Sequence, residues 1–213
     1  RIDYTEVEHG YMVPRAVEAY ERLKRDGAVT FFTYGVPTLE GVVPYYMRDK
    51  LPPFNSGTGR SRLIDGTAWP YIFPGTASYW SQAGAAMKYL KDNGARRGTR
   101  IAYIYYDNPA GRDGIEMIDA IGEREGYVVR KFAVQPPGLE MEPQVNEIVR
   151  DFKAEWVIGS LFGRPAGVSI KEFKRAGFPL NRFMSFVYGA GEPDVEEAGW
   201  DTAQVYLGLQ YAS

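Results

Sequence analysis

Cysteine is absent from the 213 residues, and histidine occurs once. The first absence excludes disulfides, thiolate metal sites and cysteine nucleophiles. The second leaves only His9, in a Glu-His-Gly-Tyr stretch, as the seed of any catalytic triad or zinc cluster. No G-x-S-x-G elbow and no H-E-x-x-H helix accompanies it, so His9 reads as a turn residue ahead of a helix. No apolar run approaches the roughly 18 residues of a membrane span, so no direct membrane insertion is expected. Charge of one sign is also scarce. The net charge is -2 with no long basic block, which argues against nucleic acid and against an anionic membrane surface as partners. GTGRSR (residues 57–62) and GAGEPD (residues 189–194) lack the third glycine of a dinucleotide loop, and neither ends in Gly-Lys-Ser/Thr. They read as turns. No cofactor and no metal is expected.

What is present is an ordinary globular balance, 45% apolar and 24% charged, with 15% aromatics. Residues 1–7 alternate like a short strand. Pro14 then opens a helix with Val17, Tyr20 and Leu23 on one face, and Gly27 stops it. Residues 28–34 form a nearly continuous apolar run that suits a parallel strand covered on both faces. Gly35, Pro37 and Thr38 follow as a loop, with a second helix over residues 41–48. Residues 51–59 read as a short strand ending in a glycine-rich loop, and residues 69–73 as another strand. Ser78 caps a helix whose stripe is Trp80, Ala83, Gly84, Met87 and Leu90, ended by Gly94.

From there the chain becomes regular. Strands are expected at 100–106, 127–134, 155–161 and 182–188, with centres 27, 28 and 27 residues apart. Helical stretches lie between them at 114–125, 143–152 and 165–176. That rhythm is what a strand, a crossover helix and a parallel strand require, and it predicts an α/β fold with one mainly parallel sheet and helices on both faces. A last strand is expected over 203–212. The chain opens at Arg1 without a methionine and closes inside a strand-like run, as an interior piece of a longer chain would.

In open parallel sheets, ligands sit outside the carboxyl ends of the strands. The loops there offer aromatics, hydroxyls and main-chain amides, with Tyr34, Thr38, Thr58, Phe162 and Tyr188 as the examples. Such a lining wraps a small molecule and fixes its orientation, and it contains no nucleophile or base. Each aromatic has a second reading, since it can equally pack beneath its loop. Arg60 and Arg62, beside the glycine loop, are suited to a carboxylate or phosphate, and equally to facing water.

The order of elements resembles the type I periplasmic binding proteins of ABC transporters, in particular the branched-chain amino acid (Leu/Ile/Val) receptor family. The matching segments are VEAYERLKRDGAVTFF (residues 17–32), LPPFNSGTG (51–59), residues 69–114, AEWVIGSLFG (154–163) and FKRAGFPLNRFMSFVYG (173–189). The helix, strand and Asp-Asn-x-x-Gly run over residues 78–111 is the most specific part. The resemblance implies a two-lobed clamp with the ligand held in the cleft. Residues 1–93 would be part of lobe 1, 94–202 lobe 2, and 203–213 a hinge strand returning towards lobe 1. It implies a periplasmic or otherwise extracytoplasmic receptor, no enzyme, with a small-molecule solute and the membrane permease of an ABC transporter as partners. A cytoplasmic ligand-sensing regulator of the same fold and a doubly wound enzyme are the rival classes.

The family's contact positions, carried over, fall on Val36 with Thr38 as the nearest hydroxyl, on Gly57, Thr58 and Gly59, on Ala110, and near Leu161 and Phe162. The acid that pairs with an amino-acid ammonium would lie near Val187, where no carboxylate stands. The expected ligand is a small organic solute, an amino acid or an aromatic or aliphatic carboxylate, walled by Tyr34, Phe162 and Tyr188 and held by Thr38, Thr58 and the amides of residues 57–59; the missing acid favours a carboxylate or another solute without an ammonium.

Overall fold

The computed structural model describes residues 2–55 and 59–211, which fall into two units, Arg1–Ser78 and Tyr79–Ser213. In the first unit, α1 (Val13–Arg25) carries Pro14 in its first turn and buries Ala16 and Tyr20. The second helix, α2 (Val36–Asp49), begins five residues before the expected start at Gly41. Pro37 sits at its opening, and the Thr38 hydroxyl hydrogen-bonds to the carbonyls of Tyr34 and Gly35, so the presumed loop is the first turn of the helix. The two helices are tied at their far ends. Asp49 accepts from the Tyr20 hydroxyl (2.7 Å), Lys24 (2.7 Å) and Arg48 (2.6 Å), and Arg48 also reaches Glu21 at 2.7 Å. Beneath lies a core of Tyr20, Phe31, Leu39, Val42, Val43, Tyr46, Leu63 and Ile72. Burial pushes the Tyr46 phenol up to about 12, even though a hydrogen bond with Thr33 pulls the other way.

The strands of this unit are shorter than the sequence suggests. Residues 2–9 are irregular. Residues 28–34 form a single parallel bridge, Phe31 to Pro53, with Phe31 and Thr33 buried and Phe32 and Tyr34 exposed. Covering on both faces is thus not what happens. Pro52 and Pro53 have no N–H to give a ladder, and Phe54 N donates to the Phe31 carbonyl at 2.6 Å. Thr30 adds a side-chain bond to the Pro52 carbonyl. β1 (Phe54–Asn55) pairs in parallel with β2 (Phe73–Pro74). Of the strand expected over 69–73 only Phe73 is extended, in β2, and turns precede it, because the Asp65 carboxylate captures the amides of Thr67 and Ala68 and its carbonyl that of Trp69.

The second unit follows the sequence closely. Its elements run α3 (Tyr79–Asp92), β3 (Arg100–Tyr106), α4 (Pro109–Arg112), α5 (Ile115–Glu125), β4 (Val128–Val134) and α6 (Glu142–Asn146), which continues as a π-turn over Glu147–Asp151. Then come β5 (Trp156–Ser160), α7 (Arg164–Arg175), β6 (Phe183–Ser185), α8 (Glu192–Ala198) and β7 (Leu207–Gly208). The sheet has five strands in the order β4-β3-β5-β6-β7, and every pairing is parallel. Alternation along β3 and β5 sends Ala102, Ile104 and Val157 into a core with Val145 and Ile148 of the α6 segment and Ile170 and Phe173 of α7. The opposite face presents Tyr103 and Trp156, reached by α3 through the Tyr89–Trp156 contact at 6.1 Å. Helices therefore cover both faces.

Three differences concern the site. β6 stops at Ser185, and residues 187–189 turn away as a 3₁₀ helix, because Val187 N donates to the Gln82 side chain at 3.1 Å instead of to a neighbouring strand. The last strand shrinks to two residues, since Thr202, Ala203 and Tyr206 spend their amides on turn carbonyls. That strand is the edge of this sheet, beside β6, whereas the sequence reading made residues 203–213 a return to lobe 1. The units part between Ser78 and Tyr79, so α3 packs within the second unit, whereas the sequence reading put it, with everything up to residue 93, in lobe 1.

Candidate functional site

The carboxyl ends of β3, β5, β6 and β7 lie side by side, and the residues that follow them carry aromatic rings. Phe162 comes two residues after β5 and Tyr188 three after β6. Their rings meet edge to face at 6.5 Å. Tyr106, the last residue of β3, lies 6.3 Å from Phe162, also edge to face. Tyr79, at the start of α3, lies 6.5 Å from Phe162 and 6.4 Å from Tyr188, and backs onto the buried Phe186 at 6.2 Å in a nearly parallel stack. Tyr211, beyond β7, reaches Tyr188 at 6.0 Å. Phe162, Tyr188 and Tyr106 are half-buried and Tyr211 is exposed, so the group has a buried floor and an accessible rim.

Local sequence explains why these rings converge. Gly189 is packed so closely that a Cβ there would stand 2.5 Å from the Leu161 carbonyl oxygen and 2.4 Å from Ser185 Oγ. Only glycine lets the loop after β6 lie against the loop after β5, and that contact brings Tyr188 to Phe162. Tyr206 fixes the same point by donating its hydroxyl to the Gly189 carbonyl at 2.9 Å. Burial raises the Tyr206 phenol well above its usual range, so it stays a donor. On the β3 side, the Asn108 side chain accepts from Gly111 N at 2.9 Å and caps α4. Asp107 accepts from Arg112 (2.6 Å) and Gln135 (2.7 Å), which together hold its carboxyl below the usual carboxylate range. Aromatic surface at loop ends over a rigid sheet suits the burial of a small apolar or aromatic body.

Among the sequence-derived positions, Phe162 and Tyr188 meet here. Ala110, which stands where the family has an aromatic, is buried within α4. Val187 is half-buried with its amide on Gln82. In the first unit, Tyr34 is 61% exposed, with its ring 6.1 Å from Tyr11. Val36 and Thr38 are 2% and 0% exposed. Thr38 spends its hydroxyl closing the first turn of α2. Gly59 is buried, and Gly57 and Thr58 lie outside the described residues. The sequence reading missed Tyr79, Tyr106 and Tyr211. Tyr106 ends the strand over residues 100–106, at the carboxyl edge where open parallel sheets seat ligands, and Tyr79 opens α3.

The periplasmic binding protein family profile matches residues 1–213. No curated protein matches the sequence. A structure described as an ABC transporter permease from the Pseudomonas fluorescens group is 28% identical with a TM-score of 0.83, over 96% of this chain and 51% of that one. A branched-chain amino acid ABC transporter from Thermus thermophilus with bound valine is 20% identical (TM-score 0.84), over 94% of this chain and 52% of that one. An R. palustris ABC transporter solute-binding protein in complex with 4-hydroxybenzoate is 23% identical (TM-score 0.73), over 88% of this chain and 51% of that one. The chain thus spans about half the length of these structures, and the last two show likeness of fold alone. An all-parallel βαβ sheet, aromatic loops at its carboxyl ends and a profile match along the whole length agree: the chain belongs to the type I periplasmic binding protein family.

Proposed function

We propose that this chain supplies ligand-binding parts of an extracytoplasmic receptor that captures a small organic solute, unaltered, for the membrane permease of an ABC importer. The observation that carries the reading is the ring group of Tyr79, Tyr106, Phe162 and Tyr188 at the carboxyl ends of the second unit's strands. Rings so arranged bury an apolar body, and each well-placed ring pair adds on the order of 0.5–1.5 kcal/mol beyond the area covered. The likeness to structures holding valine and 4-hydroxybenzoate supports a solute of that size. Among the described residues, no helix is long and apolar enough to cross a membrane.

The solute carries no ammonium. A buried ammonium needs a carboxylate partner, since an unpaired buried charge is severely penalised. The chain puts Val187 and Tyr188 where the resemblance places that partner. A thermal-shift panel of leucine, isovalerate and benzoate on the intact protein tests the reading. At a hundredfold excess over Kd, a ligand stabilises by about 2.7 kcal/mol. For a protein of this size that raises Tm by roughly 5–10 °C. The acids are expected to give such a shift and leucine none. A panel in which no solute moves Tm contradicts the function, whereas leucine alone moving it contradicts only the choice of ligand.

A further inference from the structure

Three carboxyl-end loops of the second unit meet at one place, the first turn of α3. The Tyr79 ring lies 6.5 Å from Phe162, after β5, and 6.4 Å from Tyr188, after β6. Trp80 donates its Nε1–H to the Asp113 carbonyl, after β3 and α4, at 3.0 Å. Gln82 Oε1 accepts from Val187 N at 3.1 Å, across 105 residues of chain. One turn of helix is thus tied to the loops that follow β3, β5 and β6.

Among these ties, Gln82 is the one whose chemistry stands apart. The buried stripe of α3 is otherwise Tyr79, Ala83, Ala86, Met87 and Leu90, the face expected of a helix lying on a sheet. An amide at 3% exposure costs stability unless it is hydrogen-bonded, and packing against a sheet does not call for one. Its oxygen goes to the residue beside Tyr188, and the Tyr79 ring stands one turn away on the same helix face. The bond holds residues 187–189 in their 3₁₀ turn, from which Tyr188 meets Phe162. We propose that Gln82 is a positioning residue for solute capture: through the Val187 amide it sets Tyr188 against Phe162 and Tyr79, and it touches no solute itself. This rests on the solute-binding reading and deepens it by naming what holds the rings in place before the solute arrives. Gly189 leaves room for the approach, and Gln82 supplies the attachment. Rings ordered in advance lose less freedom on binding, so loss of the bond weakens affinity as well as stability.

Calorimetric titration of benzoate into the intact protein and its variants, well below every Tm, tests the role. Gln82→Met keeps the length of the side chain and removes the amide acceptor; it is expected to weaken benzoate about fivefold, the equivalent of one neutral hydrogen bond. Gln82→Glu keeps an acceptor oxygen at the same reach and restores most of that affinity. Phe173→Leu, a core change on the opposite face of the sheet, lowers Tm and leaves the affinity unchanged. Equal affinities in Gln82→Met and the parent overturn the proposal. So does a Gln82→Glu protein as weak as Gln82→Met, or a Phe173→Leu protein weakened to the same degree, which makes the effect one of stability alone. Hydrogen exchange in the unaltered protein needs no variant to fold. Under conditions where global unfolding does not contribute, benzoate at about a hundredfold excess over Kd is expected to slow exchange at the Val187 amide by at least about tenfold, because opening that bond parts the rings the solute binds. Unchanged exchange there overturns the proposal whatever the variants do. An intact protein that binds neither benzoate nor isovalerate nor leucine strikes the solute-binding reading itself, and the positioning role with it.

Discussion

Replacing Gly189 by alanine tests how the aromatic group is assembled. The added Cβ would stand 2.4 Å from Ser185 Oγ and 2.5 Å from the Leu161 carbonyl oxygen, and real Cβ atoms essentially never come closer than 3.0 Å to such neighbours. Ser185 is buried, with its hydroxyl donating to the Phe186 carbonyl at 2.9 Å, so it has little freedom to swing aside. Leu161 offers backbone, which cannot rotate away. The loops after β5 and β6 must part by at least about 0.5 Å (3.0 less 2.5). Overpacking of this kind costs about 1–3 kcal/mol. At ~2–4 °C per kcal/mol for a chain of this size, Tm falls by roughly 2–12 °C. Phe162 and Tyr188 separate with their loops, so solute affinity falls too. Gly84→Ala is the matched control. A Cβ there meets nothing within 4 Å, and the position lies inside α3, so the same change stabilises by roughly 0.5–1 kcal/mol. Denaturation of both variants by heat and urea reads the two signs. A Gly189→Ala protein as stable as its parent would refute the close approach as the device that joins the loops.

Phe173→Ala removes a fully buried ring packed at 4.6 Å on Phe183 and 5.5 Å on Phe178; a loss of about 3–5 kcal/mol is expected in urea unfolding. Hydrogen bonds from Arg48, Lys24 and Tyr20 hold the Asp49 carboxyl far below its usual range. Its contribution is therefore present above the unfolded value of about 3.9 and lost as pH falls through the folded value. Asp49→Asn should lower Tm at neutral pH and flatten the acid limb of the Tm–pH curve below about pH 4; a parallel acid limb in the variant would contradict the clamp.

The second unit was legible because its strands are long, apolar and evenly spaced. Arg100–Tyr106 was placed to the residue, and helices fell between strands where a parallel sheet demands them. The first unit was less so, for local reasons. Prolines 52 and 53 silence the ladder that residues 28–34 would otherwise build, and the Asx turn at Asp65 competes with a strand. Gly35, Pro37 and Thr38 read as a loop from the sequence, whereas Pro37 occupies the helix opening that prolines favour. Phe162 and Tyr188 could be picked out by the carboxyl-end rule. Their meeting could not, because it depends on Gly189 touching backbone twenty-eight residues earlier in the chain, at Leu161.

The most direct measurement is a calorimetric titration of benzoate into the intact protein and into its Phe162→Ala variant. Capture by aromatic surface predicts saturable one-to-one binding with a negative heat-capacity change, and an affinity about tenfold weaker in the variant, the equivalent of ~1.4 kcal/mol. Equal affinities in the two proteins, or binding without a heat-capacity change, would contradict it.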